Sequence, residues 1–448
     1  MVLLAKMSLN KVQLHALEAV KLGQSIFLTG SPGTGKSFVL KHIIDYLKSI
    51  NKDYAVTSST GCSAILINGQ TIHSYLGMGI GNTPVDKIVL GLMKNKMKYK
   101  KLCDLQTLIL DEVSMINDST LNNISAILQK IKSEKKPFGG VQMILVGDFC
   151  QLAPVSGSFC FTSESWNDLR PVCIQLKELI RQKDDHVFQD ILQEVRFGKC
   201  CKKTFDILKK LNSTIFENIT PTKLYSLNVD VQSINDCEYQ KKYLKKNGIP
   251  VSKAKIIQCF PIVLDNDIDC DMQLLTIDNH NSDIDVYRYN ALTNDKTIKT
   301  QDYTIDLFKG LQVMVTRNIN FETGLINGAL GTIISISPSS VCIEDEKGKR
   351  HMIYYHTCTN ENTKTYVKFM PIKMAYALSI HKSQGTTLDA VEIDGSTYIF
   401  ASGQLYTALS RAKNLSSVKI LNLDKNSFIC DNLVKKFYEN MVTDNDED

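Results

Sequence analysis

Short apolar runs alternate with amphipathic segments in the first third of the chain. Residues 25–29 form a brief apolar run that is typical of a buried strand. Apolar residues then recur at the helical spacing i, i+3, i+4, i+7 within residues 40–47. Two further apolar runs lie at residues 105–110 and 141–146. Strands that alternate with helices in this order predict an α/β domain with a parallel sheet.

The link between the first strand and the first of these helices is rich in glycine. Residues 30–37 read GSPGTGKS, which fits the phosphate-loop pattern G-x-x-x-x-G-K-[ST]. Backbone N–H groups of such a loop surround phosphate oxygens, and the helix N-terminus adds positive potential. We expect Lys36 to reach the β- and γ-phosphates and Ser37 to bind Mg²⁺. The nucleotide-binding residues predicted by this loop are Gly30, Ser31, Pro32, Gly33, Thr34, Gly35, Lys36 and Ser37.

Carboxylates and a glutamine follow the next two apolar runs. Asp111 and Glu112 end the second run, and we expect Asp111 to hold Mg²⁺ and Glu112 to orient and deprotonate the attacking water. Gln151 lies just past the end of the third run, where α/β sheets place ligand contacts. We expect it to contact the γ-phosphate. This order of strands, loop, helix and carboxylates predicts a RecA-like sheet.

Length and composition set the class of protein. A chain of 448 residues predicts two or more domains, and 43% hydrophobic with 22% charged residues is typical of a globular protein. No apolar run is long enough to span a membrane, and the N-terminus has no signal or transit pattern. The 13 cysteines include no C-x-x-C pair, which predicts free thiols in a reducing compartment. We therefore expect a cytosolic or nuclear protein.

Local charge is more informative than the net charge of +5. Lysine clusters with interleaved aromatics occupy residues 94–101 and 241–246. Such patches can follow a phosphate backbone, although most charge runs are solvated surfaces. The chain has seven arginines, and none precedes residue 170. An arginine that stabilises phosphoryl transfer must therefore come from the second part of the chain, which predicts a nucleotide at a cleft between two lobes.

Taken together, these motifs resemble superfamily 1 DNA helicases of the petite-integration-frequency (PIF) type, relatives of RecD. The resemblance runs in order from Leu9 to about Leu421. It implies that Gln13, in the opening motif, reads the adenine base. Residues 57–64 and 69–74 resemble the two strand-contact motifs of the first lobe, and residues 136–142 end a segment similar to the signature of this family.

The second part of the chain carries the remaining motifs. Residues 179–182 resemble the motif whose arginine, here Arg181, reaches across the cleft. Residues 310–315 and 326–332 resemble strands of an SH3-like insertion. The most specific stretch is residues 380–388, IHKSQGTTL, and residues 403–412 resemble the last motif, with Arg411 as the second arginine finger.

The resemblance implies an α/β fold with two RecA-like parallel-sheet lobes. Lobe one spans about residues 1–175 and contains a small wedge insertion at about 77–104. Lobe two comprises residues 176–255 and 366–448, and an SH3-like β-barrel insertion occupies residues 256–365. The start of this insertion is acidic, so we expect that segment not to face phosphates. Without long flanking domains, the chain is expected to be close to a minimal motor.

The resemblance also implies an activity: ATP-dependent 5′-to-3′ unwinding of DNA in replication, recombination or repair, with ATP and Mg²⁺ as cofactors. Its catalytic residues are then Lys36, Glu112, Gln151, Arg181 and Arg411, and Gly385 joins the ATP site. The expected partners are single-stranded DNA and forked or tailed duplex DNA, bound by a monomer. The implied DNA contacts are Thr60, Gly61, His73, Asn327, His381, Lys382 and Ser383; each is also a candidate capping or core polar residue.

The chain departs from the family pattern at two positions. Cys62 stands where isoleucine is commoner, and Ala153 stands where proline is usual; neither change removes a polar group. Two other functions remain open from the residues: a phosphate-loop ATPase that remodels RNA or protein without unwinding DNA, and a catalytically silent binding module. The composition, rich in Lys, Asn and Ile, is typical of a large DNA virus or an AT-rich genome.

Overall fold

The computed structural model divides the chain into two compact units, one made of Met1–Ile215 with Ile380–Asp448 and the other of Phe216–Ser379. The residues that the structure describes are 9–60, 63–64, 67, 69–79, 83–178, 185–216, 221–226, 231, 234, 257–259, 262–264, 275–277, 286–288, 305–307, 309–317, 319–320, 325, 329–337, 339–345, 348–360, 365–388, 390–396 and 399–441.

The first unit contains a six-stranded parallel sheet. Its strands stand in the order β3-β2-β4-β5-β1-β6, and every pair is parallel. The strands are β1 (Ile26–Gly30), β2 (Tyr54–Ser58), β3 (Gln70–Thr71), β4 (Thr107–Asp111), β5 (Gln142–Gly147) and β6 (Val172–Leu176). All residues of β1 and β5 are buried, because helices cover both faces of a parallel sheet. This explains why these strands appear in the sequence as continuous apolar runs.

The helices that the structure describes in the first unit come from both of its chain segments. They are α1 (Lys11–Lys21), α2 (Lys36–Ser49), α3 (Ile72–Leu76), α4 (Val85–Lys94), α5 (Lys96–Asp104), α6 (Asp118–Lys132), α7 (Glu164–Leu169), α8 (His186–Arg196), α9 (Lys202–Lys210), α10 (Ile380–Ser383), α11 (Gln404–Leu409) and α12 (Asn432–Asn440). The unit also contains a parallel strand pair that comes after α10. Its strands are β21 (Val391–Asp394) and β22 (Val418–Leu421), numbered after those of the second unit.

The predicted apolar face of α2 fixes the sheet on one side. Leu40, Ile43 and Leu47 are 0–1% exposed and pack in one cluster with the side chains of α1 and of the central strands. Burial of three such side chains stabilises the packing by about 1.5–3 kcal/mol each. The phosphate loop is therefore held between a buried strand and a buried helix face.

The predicted wedge segment contains two helices, α4 and α5, which together span Val85–Lys94 and Lys96–Asp104. Helices α4 and α5 pack on α6, and Lys130 of α6 forms an ion pair with Asp86. Met97 is 76% exposed between lysines of the 94–101 cluster. Lys98 of that cluster donates to the Ser74 carbonyl oxygen at 2.9 Å, which ties the wedge to the second strand-contact motif.

The second unit is rich in β structure. Its strands are β7 (Thr222–Tyr225), β8 (Ile257–Cys259), β9 (Ile262–Leu264), β10 (Leu275–Ile277), β11 (Val286–Arg288), β12 (Ile305–Leu307), β13 (Gln312–Val315), β14 (Leu330–Ile336), β15 (Ser340–Glu344), β16 (Arg350–Tyr354), β17 (His356–Asn360), β18 (Thr365–Phe369), β19 (Ile372–Met374) and β20 (Ala377–Ser379). An antiparallel sheet has the order β16-β15-β14-β13-β19. Strands β7 and β20 pair in parallel.

Alternating burial explains the antiparallel sheet. Side chains of β16 alternate between exposed and buried along the whole strand, as expected when one face is packed and the other is solvated. Val313, Ile343 and Ile353 belong to its buried core. The predicted fold class, an α/β chain with parallel-sheet lobes and a β-rich insertion, is confirmed. The domain boundaries given above stay predictions.

Three predictions concern residues outside the described ones. The lysine cluster at 241–246 and the acidic start of the insertion, residues 265–274 and 278–285, fall there, as does Cys62. Across the helices that the structure does describe, none combines the length and the apolar character that a membrane span requires.

An aromatic cluster in the first unit joins β1 and the loop after β5 to α12. Phe437 of α12 stacks on Phe161, with 4.5 Å between ring centroids, and meets Phe149 edge-on at 5.2 Å. Phe149 in turn stacks on Phe27 at 4.9 Å. Trp166, the only tryptophan of the chain, contacts Phe437 at 5.9 Å.

Replacement of Phe437 by Ala should lower the free energy of unfolding of this unit by about 2–4 kcal/mol, since a partly buried aromatic is lost from the cluster. Urea denaturation followed by Trp166 fluorescence measures this change directly. The matched control is Phe400→Ala, because Phe400 is 59% exposed; its effect should stay within about 0.5 kcal/mol. Equal effects of the two variants would contradict this packing account.

Candidate active site

The phosphate loop joins the end of β1 to the start of α2. Gly33 and Gly35 adopt positive φ values of 89° and 90°, a conformation that glycine adopts at little cost. A Cβ on Gly30 would lie 2.5 Å from the Leu176 carbonyl oxygen, so this position excludes any side chain. The hydroxyl of Thr34 donates to the Ser31 carbonyl oxygen at 2.8 Å. The loop therefore requires glycine at Gly33 and Gly35 for the backbone conformation and at Gly30 because no space is left for a side chain.

Lys36 points into the loop. Its ammonium group donates to the carbonyl oxygens of Gly30 at 2.5 Å and of Ser31 at 3.2 Å. Burial lowers the pKa of Lys36, whereas the carboxylates of Asp148 and Glu112 act in the opposite direction. The ammonium group thus lies near acidic groups, but its hydrogen-bond acceptors are neutral backbone carbonyl oxygens. Charged phosphate oxygens are stronger acceptors and can replace them.

The acidic pair lies at the end of β4, two strands from β1 in the sheet. Glu112 has the left-handed backbone angles φ 52° and ψ 44°, and its N–H donates to Asp111 Oδ1 at 2.9 Å. Burial, reinforced by the Glu112 charge, raises the pKa of Asp111 to about 7. A carboxylate whose negative charge is destabilised in this way favours a nearby cation. Asp111 therefore suits the predicted Mg²⁺ role.

Two glutamines of the predicted nucleotide site are buried with unsatisfied amide atoms. Gln13 and Gln151 are each 3% exposed. Neither Gln13 Nε2 nor Gln151 Oε1 has a hydrogen-bond partner among the residues that the structure describes. The other amide atom of Gln13, Oε1, accepts from the Asn10 N–H at 3.1 Å as part of a helix-capping box. Buried polar atoms without partners are costly, so these two are suited to receive a ligand.

Sequence reasoning passed over a buried ionic centre beside the phosphate loop. Asp148 is fully buried, and Arg196, 2% exposed, donates to it through Nη2 at 3.0 Å and Nε at 3.3 Å. The hydroxyls of Tyr406 and Tyr438 donate to the same carboxylate at 3.1 and 3.0 Å. Burial opposes ionisation, but the charges of Arg196 and Lys36 hold the pKa of Asp148 below its usual range. In the sequence, only the Gly147-Asp148 pair after the apolar run at residues 141–146 pointed to this buried centre.

The last predicted motif packs against the loop that carries Gln151. A Cβ on Gly403 would lie 2.1 Å from the Gln151 carbonyl oxygen, so the two backbones touch. Arg411 is 2% exposed, and its guanidinium donates to the carbonyl oxygens of Thr407, Ser383 and Thr386. The guanidinium thus braces the turn after α10 in this structure. Its role as an arginine finger stays a prediction.

The predicted strand contacts occupy varied environments. The Thr60 hydroxyl lies 2.6 Å from the Ser63 hydroxyl and accepts from the Ser63 N–H at 3.2 Å, which is a capping arrangement. His73 and His381 are partly buried, and burial lowers the pKa of each. Lys382 is exposed, whereas Ser383 is buried and donates to the Ile380 carbonyl oxygen at 2.8 Å. Gly61, Arg181 and Asn327 lie outside the described residues.

Loss of Arg196 should destabilise the first unit strongly. The variant Arg196→Met leaves the buried Asp148 carboxylate without its countercharge, which costs about 3–5 kcal/mol. The double variant Asp148→Asn/Arg196→Met should recover part of this loss because position 148 then carries no unpaired negative charge, although Lys36 loses the favourable Asp148 charge. Thermal and urea denaturation measure the free energy of unfolding of the single and the double variant.

An exposed ion pair of the same unit provides the control. Lys21 and Glu18 are 37% and 49% exposed, so Lys21→Met should change stability by less than about 1 kcal/mol. A double variant that is no more stable than Arg196→Met would show that packing, and not charge, sets the effect.

Comparisons with known proteins agree with these motifs. A family model described as PIF1-like helicase matches residues 8–206, and a model of the 2B domain of DNA helicase Pif1 matches residues 303–336. The chain is 32% identical to the human ATP-dependent DNA helicase PIF1; the match covers 97% of this chain and 64% of the human protein. It is also 32% identical to protein 030L of Invertebrate iridescent virus 6, with 97% of this chain and 94% of that protein covered.

The fold is shared with solved structures. The Pif1 helicase from Candida albicans superposes with a TM-score of 0.78 at 29% identity, covering 97% of this chain and all of that one. Pif1 from a Bacteroides species, in complex with ADP-AlF4, gives a TM-score of 0.73 at 23% identity, with 97% of both chains covered. The order of the motifs, the strand topology and these matches agree: the chain belongs to the PIF1-like helicase family.

Proposed function

We propose that this chain is an ATP-dependent DNA helicase that moves 5′ to 3′ on single-stranded DNA and unwinds duplex or other DNA structures in replication, recombination or repair. One contact carries the proposal: Gln384, which directly follows the predicted DNA contacts His381, Lys382 and Ser383, donates to Glu112 of the predicted hydrolysis site at 2.8 Å. This contact links the group that activates water to a segment expected to hold a DNA strand. The human relative, named an ATP-dependent DNA helicase, supports DNA as the substrate.

The proposed hydrolysis site assigns a separate role to each of four side chains. Lys36 binds the β- and γ-phosphates in place of its present carbonyl partners, and Gln13 contacts the adenine base. Glu112 orients the attacking water and accepts its proton, and Gln151 contacts the γ-phosphate. Such positioning of reactants and charges is the main source of catalysis in phosphoryl transfer.

Asp111 and the hydroxyl of Ser37 are the residues that would hold Mg²⁺. The raised pKa of Asp111 and the exposed position of Ser37 in the first turn of α2 fit a cation that also binds phosphate. When bound, the ion neutralises charge on the β- and γ-phosphate oxygens. The proposed ATP site is completed by Gly385 and by the arginines Arg181 and Arg411. Arginine suits this task because it remains charged and binds phosphate bidentately.

The strand contacts would alternate in grip as the nucleotide site closes and opens. Thr60, Gly61 and His73 hold the strand on lobe one, and Asn327, His381, Lys382 and Ser383 hold it on the other side. The bond from Lys98 of the wedge to Ser74, one residue after His73, supports a strand path that passes near the 94–101 lysine cluster. A monomer provides all of these groups.

A phosphate-loop ATPase that remodels RNA or protein is the second candidate function. The phosphate loop, Asp111 and Glu112 would serve this second function equally well. It would not require the Gln384–Glu112 contact, which links the hydrolysis site to a segment proposed to bind DNA. ATP hydrolysis stimulated equally by RNA or protein, and not by single-stranded DNA, would favour this candidate. A catalytically silent binding module would not require Lys36, Glu112 and Gln151 together, because these are the proposed groups for ATP hydrolysis.

Because the pKa of Asp111 is raised to about 7 in the ligand-free protein, its proton competes with Mg²⁺ at lower pH. The Mg²⁺ concentration for half-maximal ATP hydrolysis should therefore rise as pH falls from 8 to 6, approaching about tenfold per pH unit below 7. Excess Mg²⁺ should restore much of the rate. Rates corrected for Mg²⁺ binding to ATP itself provide the measurement. A half-maximal concentration that is equal at pH 6 and pH 8 would exclude this role of Asp111.

An unwinding assay with forked, 5′-tailed and 3′-tailed duplexes tests the proposed function. We expect ATP-dependent strand separation on forked and 5′-tailed substrates. Lys36→Ala should abolish both hydrolysis and unwinding while single-stranded DNA binding remains measurable, because Lys36 is proposed to bind the nucleotide and not the DNA strand. Activity on 3′-tailed substrates alone would overturn the polarity. Absence of unwinding on every DNA substrate, with hydrolysis intact, would overturn the helicase function.

A further inference from the structure

The side chain of Gln384 reaches the predicted catalytic carboxylate from the other end of the chain. Its Nε2 donates to Glu112 Oε2 at 2.8 Å, across 272 residues of sequence, and the side chain is 3% exposed. None of the catalytic roles described above includes this residue. We propose that Gln384 is a positioning residue for Glu112 that transmits the state of the strand-binding segment to the hydrolysis site. The inference rests on the proposed function.

Hydrogen bonds within the turn after α10 fix the backbone that carries Gln384. The Thr386 hydroxyl donates to the Ser383 carbonyl oxygen at 2.6 Å, and the Ser383 hydroxyl donates to that of Ile380 at 2.8 Å. Arg411 Nη1 donates to the carbonyl oxygens of Ser383 and Thr386 at 3.4 and 3.3 Å. These contacts hold Ser383 and Thr386, the residues on either side of Gln384 and Gly385. A displacement of the turn therefore carries the Gln384 amide with it.

The backbone of Glu112 is held in a restricted conformation. Its left-handed angles are uncommon for a residue with a side chain, and its N–H donates to Asp111 Oδ1, which orients the preceding peptide group. At the other end of the residue, the Glu112 carboxylate accepts from Gln384 Nε2. The position of Gln384 thus decides where the general base points.

The second amide atom of Gln384 indicates a ligand. Its Oε1 is buried, and no described residue donates a hydrogen bond to it. A buried carbonyl oxygen without a donor is costly unless a bound molecule supplies one. The attacking water has two hydrogens, one for Glu112 and one for this oxygen. An amide that donates to the base and accepts from the water aligns both for attack on the γ-phosphorus.

The neighbours of Gln384 connect this alignment to DNA. His381, Lys382 and Ser383 immediately precede it and are the proposed strand contacts on this segment. A strand that engages the exposed Lys382 and the partly buried His381 acts on the same braced turn. Strand binding therefore adjusts the Gln384 amide, and through it Glu112 and the water, which makes hydrolysis depend on DNA.

The variant Gln384→Met tests the proposal, since methionine has a similar length and volume but no amide. We expect kcat for ATP hydrolysis at saturating single-stranded DNA to fall by about 10- to 100-fold, the effect of a misplaced reacting group. The ratio of kcat with and without DNA should fall as well. The KM for ATP and the Kd for an oligothymidylate should each change by less than about twofold, which a general structural defect would not allow.

Thr387→Ala provides the matched control, because Thr387 is an exposed neighbour on the same loop; its kinetics should equal those of the wild type. A second control combines Gln384→Met with Glu112→Gln. If Gln384 acts through Glu112, then the double variant should retain the residual single-turnover rate of Glu112→Gln within about twofold. Additive losses would show that Gln384 does not act through Glu112.

The outcomes separate this inference from the proposed function. A wild-type protein that unwinds DNA, with Gln384→Met showing unchanged kcat and unchanged stimulation, overturns the inference alone. A wild-type protein whose hydrolysis does not respond to DNA overturns both. Thermal melting of Gln384→Met within a few degrees of the wild type confirms that the comparison concerns folded protein.

Discussion

The Asp148 carboxylate is fully buried between Arg196, Tyr406 and Tyr438. A charge in this environment is tolerated only when it is paired and hydrogen-bonded, since desolvation costs several kcal/mol per ion. The three donors come from α8, α11 and α12, which are remote in sequence from the strand that ends before Asp148. Satisfying one carboxylate therefore places three later elements at the end of β5, next to the phosphate loop.

The geometry of the nucleotide site follows from this placement. With α11 fixed, Gly403 lies directly against the Gln151 backbone, and the end of the same motif braces the turn that carries Gln384 through Arg411. Gln384 then reaches Glu112. The Asp148 charge also partly offsets the cost of burying Lys36. The proposed hydrolysis site thus combines the strand ends of one sheet with segments more than 200 residues away in the sequence.

Local patterns in the sequence predicted the parts of the site that depend on neighbouring residues. The phosphate loop, Asp111 and Glu112 each follow an apolar run, so their place at the ends of parallel strands of one sheet could be inferred from the chain alone. The apolar face of α2 was likewise readable from its spacing, and Leu40, Ile43 and Leu47 are buried as predicted. In these elements local preference and tertiary packing agree.

Contacts between distant segments could not be predicted in this way. No periodicity connects Asp148 to Arg196, Tyr406 or Tyr438, and Gln384 received no separate role within the stretch of residues 380–388. The resemblance assigned Arg411 to the nucleotide, but in this structure its guanidinium braces a turn. Thr60 was predicted to contact DNA, and its hydroxyl also caps a turn at Ser63. Such dual roles become visible only when hydrogen-bond partners are known.

The central claim is that closure of the nucleotide site becomes movement along DNA. Stopped-flow translocation on oligothymidylates of increasing length, labelled at either end, tests it without the need for unwinding. The account predicts that protein arrival at a 3′-end label is delayed in proportion to strand length when ATP is added. An arrival time that does not depend on length would contradict it.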